Sequence, residues 1–298
     1  MSSATALHHP HPHLSLKTFA DLTKLRISAM STLTGAAGYV ACARGFDWGV
    51  VPASLGTVLF AMGASALNEV QERDYDAVME RTRHRPVPTG VISPEAAASI
   101  ALFLGAAGFA VLYLGGNLTA AMLGLLAMVW YNGVYTPLKR VTAFAAFPGS
   151  LIGALPPAIG WAAAGGSPLD PAILSLCFVF FIWQVPHFWL LLFIYGEDYE
   201  RAGFPTLSRT FAEQGLARLT FTWIAATSAS CALVPVFGGI RTLPATGMLV
   251  GAAVWLAWKG ASLLKPAGAP PFRRAFLHVN IFALVLVLAV VLDPFFGR

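Results

Sequence analysis

Charge is scarce in this chain. Only 11% of its 298 residues are Asp, Glu, Lys or Arg, against about a quarter in ordinary soluble domains. With 57% hydrophobic residues, that shortage excludes an intrinsically disordered protein and a conventional soluble enzyme. Cysteine is scarce too. Cys42, Cys177 and Cys231 are odd in number and lie in apolar stretches without zinc spacing, so they read as small buried apolar residues rather than as a disulfide framework. The first 26 residues lack an apolar core before a small-residue cleavage site, so no cleavable signal peptide is expected. His8, His9, His11 and His13 lie there among prolines and read as part of a disordered tail. The net charge of +5 calls for no nucleic-acid partner, because in so apolar a chain the placement of basic residues matters more than their sum.

Apolar runs long enough to cross a bilayer are plentiful. Mean hydropathy is +0.68, and a span needs roughly 20 apolar residues. Nine candidates are read, at about 27–43, 48–67, 96–114, 118–135, 143–164, 171–195, 217–237, 243–264 and 275–292. All are expected to be helical, since an open strand edge in lipid leaves backbone groups unpaired. The expected fold is an all-α, polytopic bundle of nine transmembrane helices in one domain, 27–292, between a tail at 1–26 and a short tail at 293–298. The fifth span holds Pro148, Pro156 and Pro157, which predicts a kinked or broken helix. On this reading all but Arg44, Arg241 and Arg298 of the 19 basic residues fall on one side. That bias places the N-terminus in the cytoplasm and the C-terminus on the opposite side. The two long charged loops, 68–95 and 196–216, then share the cytoplasmic face.

The first loop continues from the second span as N-E-V-Q-E-R-D-Y-D-A-V-M-E-R-T-R-H-R-P, Asn68 to Pro86. If the helix persists, Asn68, Glu72 and Asp76 follow at i, i+4 and i+8 on one face. Magnesium commonly bridges one or two carboxylates to substrate phosphates. Arg81, Arg83 and Arg85 come next, and guanidinium pairs bidentately with phosphate oxygens. Acids for a cation followed by bases for a phosphate point to a diphosphate site. The plainer alternative is a solvated helix end laced by pairs such as Glu69–Arg73. Unpaired charge at the tip of a membrane helix is expensive, which weighs against it.

The second loop reads G-E-D-Y-E-R-A-G-F-P, Gly196 to Pro205, and offers Asp198 as a further metal ligand. Just before it, His187 lies beside Trp183, Gln184 and Pro186 within an apolar span. A histidine there can ligate a metal, move a proton or serve the bundle as a hydrogen-bonding group. Lys139 and Arg140, after Tyr135, are either a second phosphate clamp or an instance of the positive-inside bias.

The pattern N-x-x-x-E-x-x-x-D with M-E-R-T-R-H-R-P resembles the first signature of the intramembrane, UbiA-type prenyltransferase superfamily. Y-T-P-L-K-R (135–140), G-A-L-P-P-A-I-G-W (153–161), W-Q-V-P-H-F (183–188) and E-D-Y-E-R-A-G-F-P (197–205) are similar to its haem-farnesylating branch. The likeness runs from about Lys24 to Asp293. It implies a bundle with a central cavity, Mg2+ as cofactor, farnesyl diphosphate and haem b as substrates, haem O and diphosphate as products, and a bacterial inner membrane. A downstream enzyme that makes haem A is an implied partner. Carried over, Asn68, Glu72, Asp76 and Asp198 form the catalytic set, the last three holding metal. Arg81, Arg85, Lys139 and Arg140 grip the diphosphate. His187, Trp183 and Tyr135 face haem or the prenyl chain. Glu72 stands where the superfamily usually has Asp, K-L-R at 24–26 replaces the branch's common K-P-R, and the second loop has no clear D-x-x-x-D. Two other readings stay open: an aromatic or quinone-precursor acceptor, and a transporter whose acids line an ion path.

Overall fold

The computed structural model describes residues 15–265 and 271–297. The described residues are helical, with no strand among them. The long helices are α1 (Leu25–Ala43), α2 (Val50–Val78), α3 (Pro94–Gly115), α4 (Leu118–Leu138), α5 (Ala143–Ala163), α6 (Pro171–Ile194), α7 (Glu213–Val236), α8 (Leu243–Leu264) and α9 (Phe272–Phe296). Their starts are legible in the sequence. Ser93 and Asp170 cap α3 and α6 by accepting from the Ala96 and Ala172 amides, each followed by a proline at the first helical position. Asn117 caps α4 in the same way through Ala120.

Among the described residues eight helices, not nine, are long and apolar enough to cross a membrane, and α1 is the exception. The reason lies in its packing. Helices in lipid gain little from apolar surface against one another and associate through close van der Waals contact. Gly35 and Gly38 of α1 sit against the backbone of Pro156 and Pro157 in α5, and Gly160 of α5 against Gly35. A helix that lies this close to its neighbour is built from small residues, which lowers its hydropathy. It still runs the length of the bundle, since Lys24 before it touches Asn68 and Arg44 after it touches Asp293 near the end of α9.

Two expectations about the termini are corrected. Residues 16–22, placed in the tail, form the helix Leu16–Leu22, which is capped by Ser15 and buries Leu22 completely. Asp293, placed in the C-terminal tail, lies inside α9 with no exposed surface. The four N-terminal histidines lie outside the described residues.

The fifth span is broken as its prolines require. A 3-10 turn (Ala143–Ala145), a short helix (Ala146–Gly149) and a longer one (Leu151–Ala163) follow in series. Near its end α4 opens into a π-helical turn, Trp130–Tyr135, just before Pro137, which lacks an amide hydrogen. The main core gathers Phe180, Leu249, Val279, Phe282 and Leu286 from α6, α8 and α9. Phe60, Leu112, Met128 and Ile159 form a second core. Outward, Leu102, Phe103, Val254 and Trp258 are more than half exposed, which suits a lipid-facing surface. One lateral groove of about 670 Å³ opens among α2, α3 and α4, and another of about 800 Å³ lies beside Phe144, Trp189 and Trp223.

Candidate active site

The helix α2 continues without interruption through Asn68, Glu72 and Asp76. All three lie on the inward face and are no more than 4% exposed. Glu69 is fully buried and accepts a hydrogen bond from the Val87 amide at 3.0 Å. The Glu69–Arg73 pair of a solvated helix end does not form, and Arg73 lies instead 3.4 Å from its neighbour Asp74. Buried acids at this density repel one another, so each needs a partner.

Those partners are the basic residues of the neighbouring segments. The Lys139 ammonium sits 2.6 Å from the Glu72 carboxylate. Arg85 Nη1 donates to Asp76 Oδ2 at 2.6 Å. Lys24 Nζ donates to Asn68 Oδ1 at 2.7 Å, and Asn68 Nδ2 donates to Thr136 Oγ1. Arg140 lies over the Tyr75 ring at 4.8 Å and donates to the Gln71 carbonyl at 2.6 Å. The π-helical turn helps to place Lys139 and Arg140, and Gln71 Nε2 donates to the Asn132 carbonyl within it. Arg81 lies with its guanidinium 5.2 Å from the centre of the Tyr195 ring. Arg83 is exposed.

Donor capacity remains unused here. Arg81 Nε and Arg140 Nε are buried without a hydrogen-bond partner, and so is Glu69 Oε2. Buried polar groups are nearly always paired, so unused guanidinium donors beside paired acids leave capacity to bind an anion. No group of three or more His, Cys, Asp or Glu among the described residues forms a metal cage. Magnesium needs no such cage when substrate phosphates complete its shell. Glu72 and Asp76, one helical turn apart, fit that requirement.

Asp198 comes from the short helix Gly196–Arg201 and reaches the first loop. Its Oδ1 accepts from the Glu80 amide and its Oδ2 from the Arg81 amide, both at 3.2 Å. Arg201 lies 3.4 Å from Oδ1. Both acidic loops therefore meet at one end of the bundle, with Asp76 and Asp198 contacting the same 76–85 segment. Phe204, 3% exposed, seals the junction against Tyr75 at 4.9 Å and Tyr199 at 5.5 Å between ring centres. Thr206 and Ser208 donate to Glu200, which holds its carboxyl below the usual range.

Deeper in the bundle Tyr135 stacks on Phe188 at 5.4 Å and 8°, with the Lys139 ammonium 5.4 Å from its ring centre. His187 lies between Trp183 (4.8 Å) and Phe276 (5.1 Å). Its Nδ1 is buried and unpartnered. Trp183 is anchored through Nε1 to the Val279 carbonyl at 2.8 Å.

Sequence reasoning missed Lys24 as a site residue. It has φ +48°, an uncommon backbone for a lysine. Burial first, then Arg85 and Lys139, lower its ammonium to about 7, against Glu72 and Asp76, which raise it. The signal was present in K-L-R at the start of the first span, which was weighed for membrane orientation and for its departure from K-P-R but not for the site. Phe204 and Glu69 were missed as well, because only the fold shows a loop phenylalanine and a flanking acid to be buried.

Apolar helices with buried acid–base pairs and spare arginine donors gathered at one end define an integral membrane protein with a charged site at that end. Residues 29–289 match the UbiA prenyltransferase family. The chain belongs to that family and is a multi-pass membrane prenyltransferase. It is 38% identical over 271 residues to the protoheme IX farnesyltransferase of Geobacter sulfurreducens, covering 91% of this chain and 97% of that protein. Among solved structures, a digeranylgeranylglyceryl phosphate synthase superposes with TM-score 0.76 at 15% identity, covering 94% and 98% of the two chains. A UbiA homologue from Archaeoglobus fulgidus, bound to GPP and Mg2+, gives TM-score 0.69 at 15% identity, covering 93% and 98%.

Proposed function

We propose that this protein transfers the farnesyl group of farnesyl diphosphate to a vinyl carbon of haem b, with addition of water, to give haem O and diphosphate. The reading is carried by the buried Glu72–Lys139 and Asp76–Arg85 pairs beside unused Arg81 and Arg140 donors, in a chain with farnesyltransferase relatives. We assign magnesium to Glu72 and Asp76. When bound, the metal supplies positive charge against the departing diphosphate. The excess of basic residues beside these loops supports a cytoplasmic location for this face, and the family resemblance supports a bacterial inner membrane.

The chain's own residues do the remaining work. Without substrate each acid is neutralised by a neighbouring cation. With a diphosphate in the site, Lys139 and Arg85 would turn from carboxylate to phosphate oxygens, joined by Arg81, Arg140 and Lys24. They thereby oppose the negative charge that grows as the allylic carbon–oxygen bond breaks. The bond's electron pair leaves with diphosphate. The vinyl π pair of haem forms the new carbon–carbon bond. The resulting cation takes a water oxygen, and that water's second proton goes to solvent. Tyr135 and Phe188 present ring faces suited to the allylic cation, while Phe204 keeps water from it until the carbon bond is made. His187, Trp183 and Phe276 are assigned to the porphyrin.

The test is mass analysis of porphyrin after incubating purified protein with haem b, farnesyl diphosphate and magnesium. A gain of one farnesyl plus one water is expected. Farnesylation of 4-hydroxybenzoate instead would move the protein to another acceptor. Diphosphate retained on its substrate under all conditions would favour transport.

A further inference from the structure

We infer that Asp198 is a positioning residue that clamps the first loop over the diphosphate pocket, rather than a ligand of the metal. The loop after α2 folds into a turn in which the amides of Thr82 and Arg83 bond back to the Met79 carbonyl. The two preceding amides, of Glu80 and Arg81, are left without a partner inside that turn, as at any helical start. Asp198 supplies both acceptors from another part of the chain, one oxygen to each amide, at 3.2 Å. A side chain within the same turn usually does this work at a helix start. Here the cap comes from 117 residues further on.

Arg201 fixes the carboxylate in place, 3.4 Å from Asp198 and 4.0 Å from Glu80. The side chain of Asp198 is 11% exposed. Its amide partners belong to the backbone and, unlike the Lys139 and Arg85 side chains on Glu72 and Asp76, cannot swing to a phosphate; the residue next to the clamp is Arg81, whose Nε is an unused donor. Thr82 Oγ1 bonds to the Asp76 carbonyl, and Arg85 reaches the Asp76 side chain. The clamp thus sets where the two arginines stand relative to Asp76. The effect on substrate rests on the diphosphate reading given above, but the clamp itself does not.

Hydrogen exchange of the full-length, metal-free protein in nanodiscs tests it. The Glu80 and Arg81 amides should be protected in the native chain. Their exchange should become about tenfold faster or more in Asp198→Ala, with Asp198→Asn between the two. With farnesyl diphosphate as probe, the clamp predicts a dissociation constant raised about tenfold at saturating magnesium. The magnesium half-saturation should stay within about twofold of native. A metal ligand would do the reverse, leaving metal-free exchange unchanged and raising the magnesium requirement tenfold or more. Either of those results, or unprotected amides in the native chain, overturns the inference. Failure of the native protein to bind farnesyl diphosphate would sink the functional reading and leave the exchange result standing.

Discussion

The two ends of the bundle both bury acids beside bases, yet they finish differently. At the end away from the site, Asp293 has no exposed surface and is fully engaged. Its Oδ1 accepts from the Arg241 amide, the Thr242 amide and the Thr242 hydroxyl, and its Oδ2 from Arg44 at 2.6 Å. At the site end, Glu72 and Asp76 are paired, but Glu69 Oε2, Arg81 Nε and Arg140 Nε are left over. A completed network holds helices together. On the proposed reading the incomplete one awaits a ligand. On that reading the first end carries structural charge and the second carries charge that serves a ligand.

Substitutions at the two ends should therefore have opposite signatures. The largest effect is expected from Asp76→Asn, which leaves insertion and thermal stability near native while farnesyl transfer falls roughly 10³-fold. Near-normal turnover at ordinary magnesium would remove the acidic face of α2 from the site. Asp293→Ala is the mirror image. Leaving Arg44 beside an empty, buried position should lower the thermal midpoint by roughly 5–10 °C, with turnover per folded molecule unchanged. A selective loss of turnover in that variant would erase the distinction between the ends.

A smaller effect is expected at His187. Replacing it by Ala should weaken haem binding by about tenfold, measured by absorbance titration, with farnesyl diphosphate binding intact. Unchanged haem affinity would take His187 out of the porphyrin site. The smallest effect concerns pH. The Lys24 ammonium is lowered to about 7 from an ordinary 10.5. The unfolded chain therefore binds more protons than the folded one between those values, and this group's contribution to stability rises with pH across that window. A bound diphosphate favours the charged lysine. Farnesyl diphosphate affinity should consequently fall as pH rises above 7, by less than tenfold per unit, and flatten in Lys24→Met. An equal slope in both proteins would place Lys24 outside the electrostatics of binding.

Much of this was legible in the sequence, for definable reasons. Long apolar runs gave most of the helices, because lipid permits few other solutions. The i, i+4, i+8 spacing gave the inward face of Asn68, Glu72 and Asp76, because α2 runs on to Val78. What was not legible depended on contacts between distant segments. The apolar character of α1 was overestimated because its small residues serve close packing on α5. Asp293 was read as a tail residue because its partners, Arg44 and Thr242, are remote in sequence. The carboxylate of Asp198 looked like any other acid until the fold brought it to the Glu80 and Arg81 amides.

The most direct measurement is equilibrium binding of farnesyl diphosphate to the purified full-length protein, with and without magnesium, in the native chain, Asp76→Asn and Asp293→Asn. The unfinished network predicts one magnesium-dependent site per chain, lost in Asp76→Asn and retained in Asp293→Asn. Binding that ignores magnesium and survives Asp76→Asn would contradict it.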